Sequence, residues 1–257
     1  MKLNLLLFAA ATGLIATGCG SKPPPDPNDP KSVSIMQPEV LQRNLAWASE
    51  MVNERVAKSE ITEVEAKAYL VKYADELTAN IDFKRMEANQ AWRYAEVFRT
   101  AQRWELAKKS LEIAVEHAKK VDNQDRRVND SLRLSEALAH LGERKKAIEI
   151  ARSVFNAPAQ DKGPILMSVL YEIVPALRGH DVDLESARLL EDAIEQHMQV
   201  VVDANSDEGK AFLVAKWHHI GKAWDLVVEI YRDAGNEELA QEAFEKASRM
   251  METQGRL

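Results

Sequence analysis

Few residues in this chain have the type and spacing to do chemistry, and Cys19 comes first because it is the only cysteine among 257 residues. One thiol can form neither an internal disulfide framework nor a thiolate metal cluster. Asp203, Asn205 and Asp207 open like a calcium loop. That loop fails at Glu208, where it needs glycine, and at Val214, where it needs a bidentate glutamate, so the stretch reads as a polar turn capping the next helix. "AKWHHIGKAW", Ala215 to Trp224, gathers two tryptophans and two histidines. Trp217, Ile220 and Trp224 have core spacing. The alternative function is the binding of a small molecule or cell-wall fragment in a groove near Trp217 and His218. No His-Glu-x-x-His, Glu-x-x-His, Gly-rich phosphate loop or nucleophile elbow occurs. The expectation is a non-enzyme with no cofactor and no metal.

Cys19 gains its meaning from what flanks it. Lys2 is followed by the apolar run "LNLLLFAAATGLIA", which is broken by Thr12 and Gly13 and is short of the roughly 20 residues a membrane span requires. Residues 1–18 therefore read as a signal peptide. The small or apolar Ile15, Ala16, Thr17 and Gly18 before the cysteine resemble the bacterial lipoprotein signal, although Ala16 stands where that family most often has leucine. The resemblance implies lipidation of Cys19 and two or three acyl chains, a stable anchor at about 0.8 kcal/mol per buried methylene. Gly20, rather than aspartate, then favours the periplasmic face of the outer membrane in a Gram-negative cell. Residues 19–36 include five prolines between Pro23 and Pro30. They make a polyproline-rich tether reaching roughly 50 Å at about 3.1 Å per residue.

Residues 37–257 form the body. They are poor in glycine and proline and rich in helix formers, and their apolar positions recur at helical spacing without strand alternation. The pattern predicts ten helices paired as hairpins: 38–57 with 61–81, 84–101 with 104–120, 125–141 with 143–156, 164–178 with 183–203, and 207–234 with 236–252. Thr62 and Glu65 form a capping-box pattern, and Pro175 is expected to kink its helix.

A self-comparison finds one spacing three times: Phe98-Gln102-Trp104-Ala107-Leu111-Ala114, Leu138-Gly142-Arg144-Ala147-Ala151-Val154, and Tyr231-Gly235-Glu237-Ala240-Phe244-Ala247. Large residue, small turn residue and helix-packing alanine in this order resemble the tetratricopeptide (TPR) repeat. Gln102 replaces the turn glycine, Leu138 replaces an aromatic, and the 40-residue offset exceeds the family's 34. A HEAT-like array is the alternative. The resemblance covers about half the chain and implies an all-α superhelix, a solenoid of about five hairpins, that binds peptide segments in a groove lined by the first helices.

Asn89, Arg93 and Glu96 recur as Asn129, Arg133 and Glu136, at offsets that place each trio on one helix face. Stacked trios would present amide, guanidinium and carboxylate rows to an extended peptide; an ordinary exposed pair and a helix cap are the plainer reading. Glu229 keeps the third row in the last unit, where Lys222 and Leu226 replace the other two.

The net charge of −7 argues against nucleic acid. It is unevenly spread: residues 19–80 sum to about −3, residues 81–152 to about +4 and residues 153–257 to about −9. The expectation is a lipid-anchored scaffold at the bacterial envelope with a protein or peptide partner.

Overall fold

The computed structural model describes residues 38–79, 81–157, 163–203 and 205–254. Cys19, the signal and the proline-rich tether lie outside the described residues. Within them the chain is all-helical and contains no strand.

The helices are α1 (Pro38–Ala57), α2 (Glu63–Thr78), α3 (Ala91–Thr100), α4 (Trp104–Lys120), α5 (Gln124–His140), α6 (Arg144–Ser153), α7 (Gly163–Ser168), α8 (Val174–Leu177), α9 (Asp183–Met198), α10 (Asp207–Asp233) and α11 (Glu237–Gln254). A π turn, Val169–Ile173, joins α7 to α8, so these two act as the first rod of the fourth hairpin. Five hairpins result. Each packs on its neighbours in chain order, the arrangement of a stacked helical array. One continuous apolar cluster runs from Leu41 and Val52 through Phe98, Leu132 and Leu177 to Ile220 and Tyr231.

Local chemistry sets the ends. Thr62 and Glu65 close the capping box reciprocally: the Glu65 amide donates to the Thr62 hydroxyl at 3.2 Å and the Thr62 amide to the Glu65 carboxylate at 2.8 Å. The three repeat units turn identically. The amide of Arg103 donates to the Phe98 carbonyl at 2.8 Å, Glu143 to Leu138 at 2.9 Å and Asn236 to Tyr231 at 2.8 Å. The residue before each donor is left-handed, at φ 55° for Gln102, 79° for Gly142 and 73° for Gly235. This is a Schellman C-cap, which favours glycine because a Cβ is crowded at positive φ. Phe98, Leu138 and Tyr231 are buried, and so are the repeat's alanines Ala107, Ala147 and Ala240.

Two stretches depart from the sequence reading. The first helix of the second hairpin starts at Ala91 rather than 84, because residues 83–90 form two short 3-10 turns; Asp82 caps the first by accepting from the Lys84 amide at 3.0 Å. Instead of a simple kink, Pro175 follows a π turn, in which the Val174 amide donates back five residues to Val169. The proline has no N–H to donate, and the widened turn accommodates the missing bond.

Candidate functional site

The first helices share a polar face, and the trios lie partly on it. Asn89 does not sit on a helix at all: it is exposed in the 3-10 turn Ala88–Gln90. Asn129 is half-buried inside α5, whose cap is Asn123, accepting from the Arg126 amide at 3.0 Å. The two asparagines are therefore not equivalent, a correction that follows from the late start of α3.

The charged members meet each other instead of standing in free rows. Arg93 donates to Glu39 of α1 at 2.5 Å. Glu96 of α3 lies 2.8 Å from the Arg133 guanidinium of α5, close enough to pair as charges though not aimed as a hydrogen bond. Glu136 accepts from Arg99 Nε at 2.6 Å. The same guanidinium reaches Glu172 of the π turn at 3.1 Å and Glu96 at 3.3 Å. Arg126 pairs with Asp130 one turn on. The Trp92 ring lies beneath two guanidinium carbons, Arg126 at 3.9 Å and Arg93 at 5.0 Å, within cation–π range.

Burial makes this cluster electrostatically unusual. The Asp130 side chain is 2% exposed; burial pushes its carboxyl up to about 6, against Arg126 and Arg133. Burial likewise pushes Glu136 up to about 7, against the pull of Arg99 and with Glu172 adding to the rise. Glu96 behaves oppositely: burial would raise it, but Arg133 and Arg99 outweigh burial and hold it below the usual carboxylate range. Arg99 is raised despite its burial because three carboxylates face it.

The polar face continues onto the later hairpins. The π turn carries Tyr171, whose hydroxyl lies 2.8 Å from His219 Nδ1 of α10, with Lys222 Nζ 5.8 Å from its ring. Arg178 bridges Glu229 at 2.6 Å and Asp233 at 2.7 Å. Glu229, expected as a third-row member, is thus engaged, while Leu226 packs against the core.

Residues missed in the sequence are Glu39, Arg99, Arg126, Asp130, Glu172, Tyr171 and Arg178. A signal existed for three of them. Arg99 follows Glu96 by three residues and Asp130 follows Arg126 by four, the spacings of helix-surface pairs. The cross-hairpin partners, 37 and 73 residues from Arg99, left no such trace.

Two further stretches resolve separately. Ser206 caps α10, accepting from the Gly209 amide at 2.9 Å, and Asp203 accepts from the Asn205 amide at 2.9 Å. A Cβ on Gly209 would collide with the Asp203 carbonyl oxygen, so that glycine is fixed by close approach. The acidic stretch is a helix cap. Trp224 is buried, Trp217 is half-buried against the core and His218 is exposed. No helix among the described residues is long and apolar enough to cross a membrane.

No family model matches this chain, and no curated protein matches it.

Proposed function

We propose that this chain is a lipid-anchored scaffold at the bacterial cell envelope, holding a protein or peptide partner against the polar face of its first helices. In this reading Cys19 carries the acyl chains and the proline-rich segment after it separates body from membrane, on the periplasmic side of the outer membrane in a Gram-negative cell. The supporting observation is the face itself. Side chains from α1, α3, α5, the π turn and α10 meet in a chain of contacts along it, offering charged and aromatic surface drawn from five successive hairpins. Stacked helical hairpins present extended surfaces of this kind to partners. The TPR likeness adds to the reading through the shared Schellman turn and the buried alanines.

Because Arg133 is enclosed by Glu96 and Asp130, reversing its charge would damage the fold before it tested binding. A better probe is the outer pair. Glu39→Arg with Arg93→Glu keeps an ion pair while inverting its polarity on the face. Partner capture, read by crosslinking in the native cell and mass spectrometry, should fall at least tenfold with helical circular dichroism unchanged. Undiminished capture would reject this face as the binding surface. Separately, Cys19→Ser should move the chain out of the membrane fraction, and unchanged fractionation would overturn the anchor.

A further inference from the structure

The first hairpin carries a strip of aromatic rings at its surface. Both of its helices pack on α3, yet Trp47 of α1 is 36% exposed and Tyr69 of α2 is 38% exposed. Each lies against the buried Tyr73. The Trp47 and Tyr73 centroids are 6.4 Å apart, and Tyr69 stacks on Tyr73 at 6.1 Å with 13° between the ring planes. The two exposed rings are thus at most two such steps apart. The charged side chains one turn from these rings, Arg43, Glu50, Glu65, Lys72 and Glu76, are of both signs. The strip therefore selects its occupant by apolar stacking rather than by charge.

The segment that leads into α1 has a matching period. In "PPPDPNDP", Pro24, Pro27 and Pro30 recur at every third residue. Three residues make one turn of a polyproline II helix, so in that conformation the three prolines share one edge, about 9 Å apart in succession. That spacing fits within the two ring-to-ring steps of the strip. Aromatic surfaces take such segments because the extended conformation is set in advance and little entropy is lost on docking. Reach is sufficient. Trp47 stands about 14 Å along α1 from Pro38, and the eight residues from Pro30 to Pro38 span up to about 25 Å when extended. So short a connection gives an effective concentration in the millimolar range, enough to hold a contact too weak to form between separate molecules.

We infer that residues 23–30 fold back as a strap on the first hairpin, with two successive prolines of the Pro24, Pro27 and Pro30 edge stacked on Trp47 and Tyr69. The docking itself requires no acyl chain and stands or falls independently of the function proposed above. Its consequence rests on that reading: with Cys19 anchored, only residues 19–24, about 15 Å, separate lipid from body in place of roughly 50 Å. The strap sets the stand-off of the body from the membrane.

The test places a photo-crosslinking phenylalanine analogue at position 28, off the proline edge, in the full chain in its native cell. The expected product is an intrachain adduct at the mass of one chain, mapping to residues 43–51 and 65–76. Pro24→Ala with Pro27→Ala and Pro30→Ala should reduce it roughly tenfold, whereas Pro23→Ala with Pro25→Ala, off the edge, should leave it in place. Trp47→Ala with Tyr69→Ala should reduce it as far, with helical circular dichroism unchanged; the proline variants, which lie outside the helical body, test the contact without touching its fold. Cys19→Ser should leave the adduct in place, so a failed anchor and a failed strap read out separately. An adduct with a second copy or a different protein, crosslinks scattered along the body, no adduct, or equal sensitivity to both sets of proline changes would each overturn the inference.

Discussion

Arg99 and His197 are both deeply buried titratable side chains, with the Arg99 side chain 11% exposed and His197 3% exposed, yet their surroundings differ in kind. Arg99 sits among Glu96, Glu136 and Glu172 from three elements, and its charge is matched at the cost of crowding carboxylates together. His197, on α9, has no hydrogen-bond partner on either ring nitrogen. It lies against Phe212, 5.5 Å away, and near Lys216, whose ammonium donates to the Met198 and Val200 carbonyls at 3.0 and 3.3 Å. Burial, with Lys216 and His219 adding, lowers its pKa to about 4. The first cluster holds charge by pairing it, and the second excludes charge by burying a neutral ring. The α3–α5–π junction is therefore specified by partners, whereas the α9–α10 junction is specified by packing.

The largest effect that tests this contrast is removal of the shared cation. Arg99→Ala leaves Glu96 and Glu136 without their common partner, and breaking a buried pair from one side typically costs 3–5 kcal/mol. Residual exposure of Glu172, 36% at its side chain, discounts this to about 3 kcal/mol at pH 8. The cost should shrink near pH 6, where Glu136 takes up a proton and no longer needs the guanidinium. Chemical denaturation at the two pH values measures it. An equal loss at both would mean that Arg99 acts by packing alone, like a residue of the second cluster.

The pH dependence separates the two regions further, because their signs are opposite. His197 has a folded pKa below its ordinary 6.5. Between about 4 and 6.5 the unfolded chain therefore binds more protons, and the stability present above 6.5 is lost as pH falls toward 4. Asp130 and Glu136 have folded values of about 6 and 7, above their ordinary 3.8 and 4.5. Their contribution is present at pH below those ordinary values and is lost as pH rises through about 6 and 7. In the native chain the two trends oppose each other between pH 4.5 and 6.5. His197→Leu should unmask a rise in stability on acidification from pH 7 to 5. Asp130→Asn with Glu136→Gln should unmask a fall over the same range. If both variants give parallel melting-temperature profiles, the opposition is absent.

The sequence displayed one of these regions better than the other. Helix positions, the turn at Leu138-Gly142 and the core placement of Trp224 follow from periodicity and capping, which are local and repeat every few residues. Glu96, Arg133 and Glu136 were visible as a recurring face for the same reason. What periodicity could not carry was their use. A face at offsets 4 and 7 looks solvent-exposed until α3 and α5 stack and bring Glu96 onto Arg133. Asn89 misled because its match to Asn129 assumed a helix where Asp82 and the following residues make 3-10 turns. His197 gave no signal: one histidine at a core-like position acquires its significance only from the missing partners around it.

The smallest expected effect bears most directly on whether the Arg99 cluster titrates as a unit. Glu172 is the most exposed of the three carboxylates on Arg99 and belongs to the π turn, so Glu172→Gln should change stability by within about 0.5 kcal/mol, as exposed pairs do. Its influence on Glu136 should nevertheless be measurable, since the negative charge of Glu172 is among the causes that raise Glu136. Removing it leaves Arg99 to Glu136 and Glu96, and the Glu136 pKa should fall. Carboxyl carbon chemical shifts followed from pH 4 to 9 would report that fall directly. An unmoved Glu136 would mean that the π turn only passes near the cluster, and that Pro175 set its geometry without electrical consequence. A lowered value would tie the proline-induced widening of one helix to the proton affinity of another, through a single guanidinium that neither helix contains.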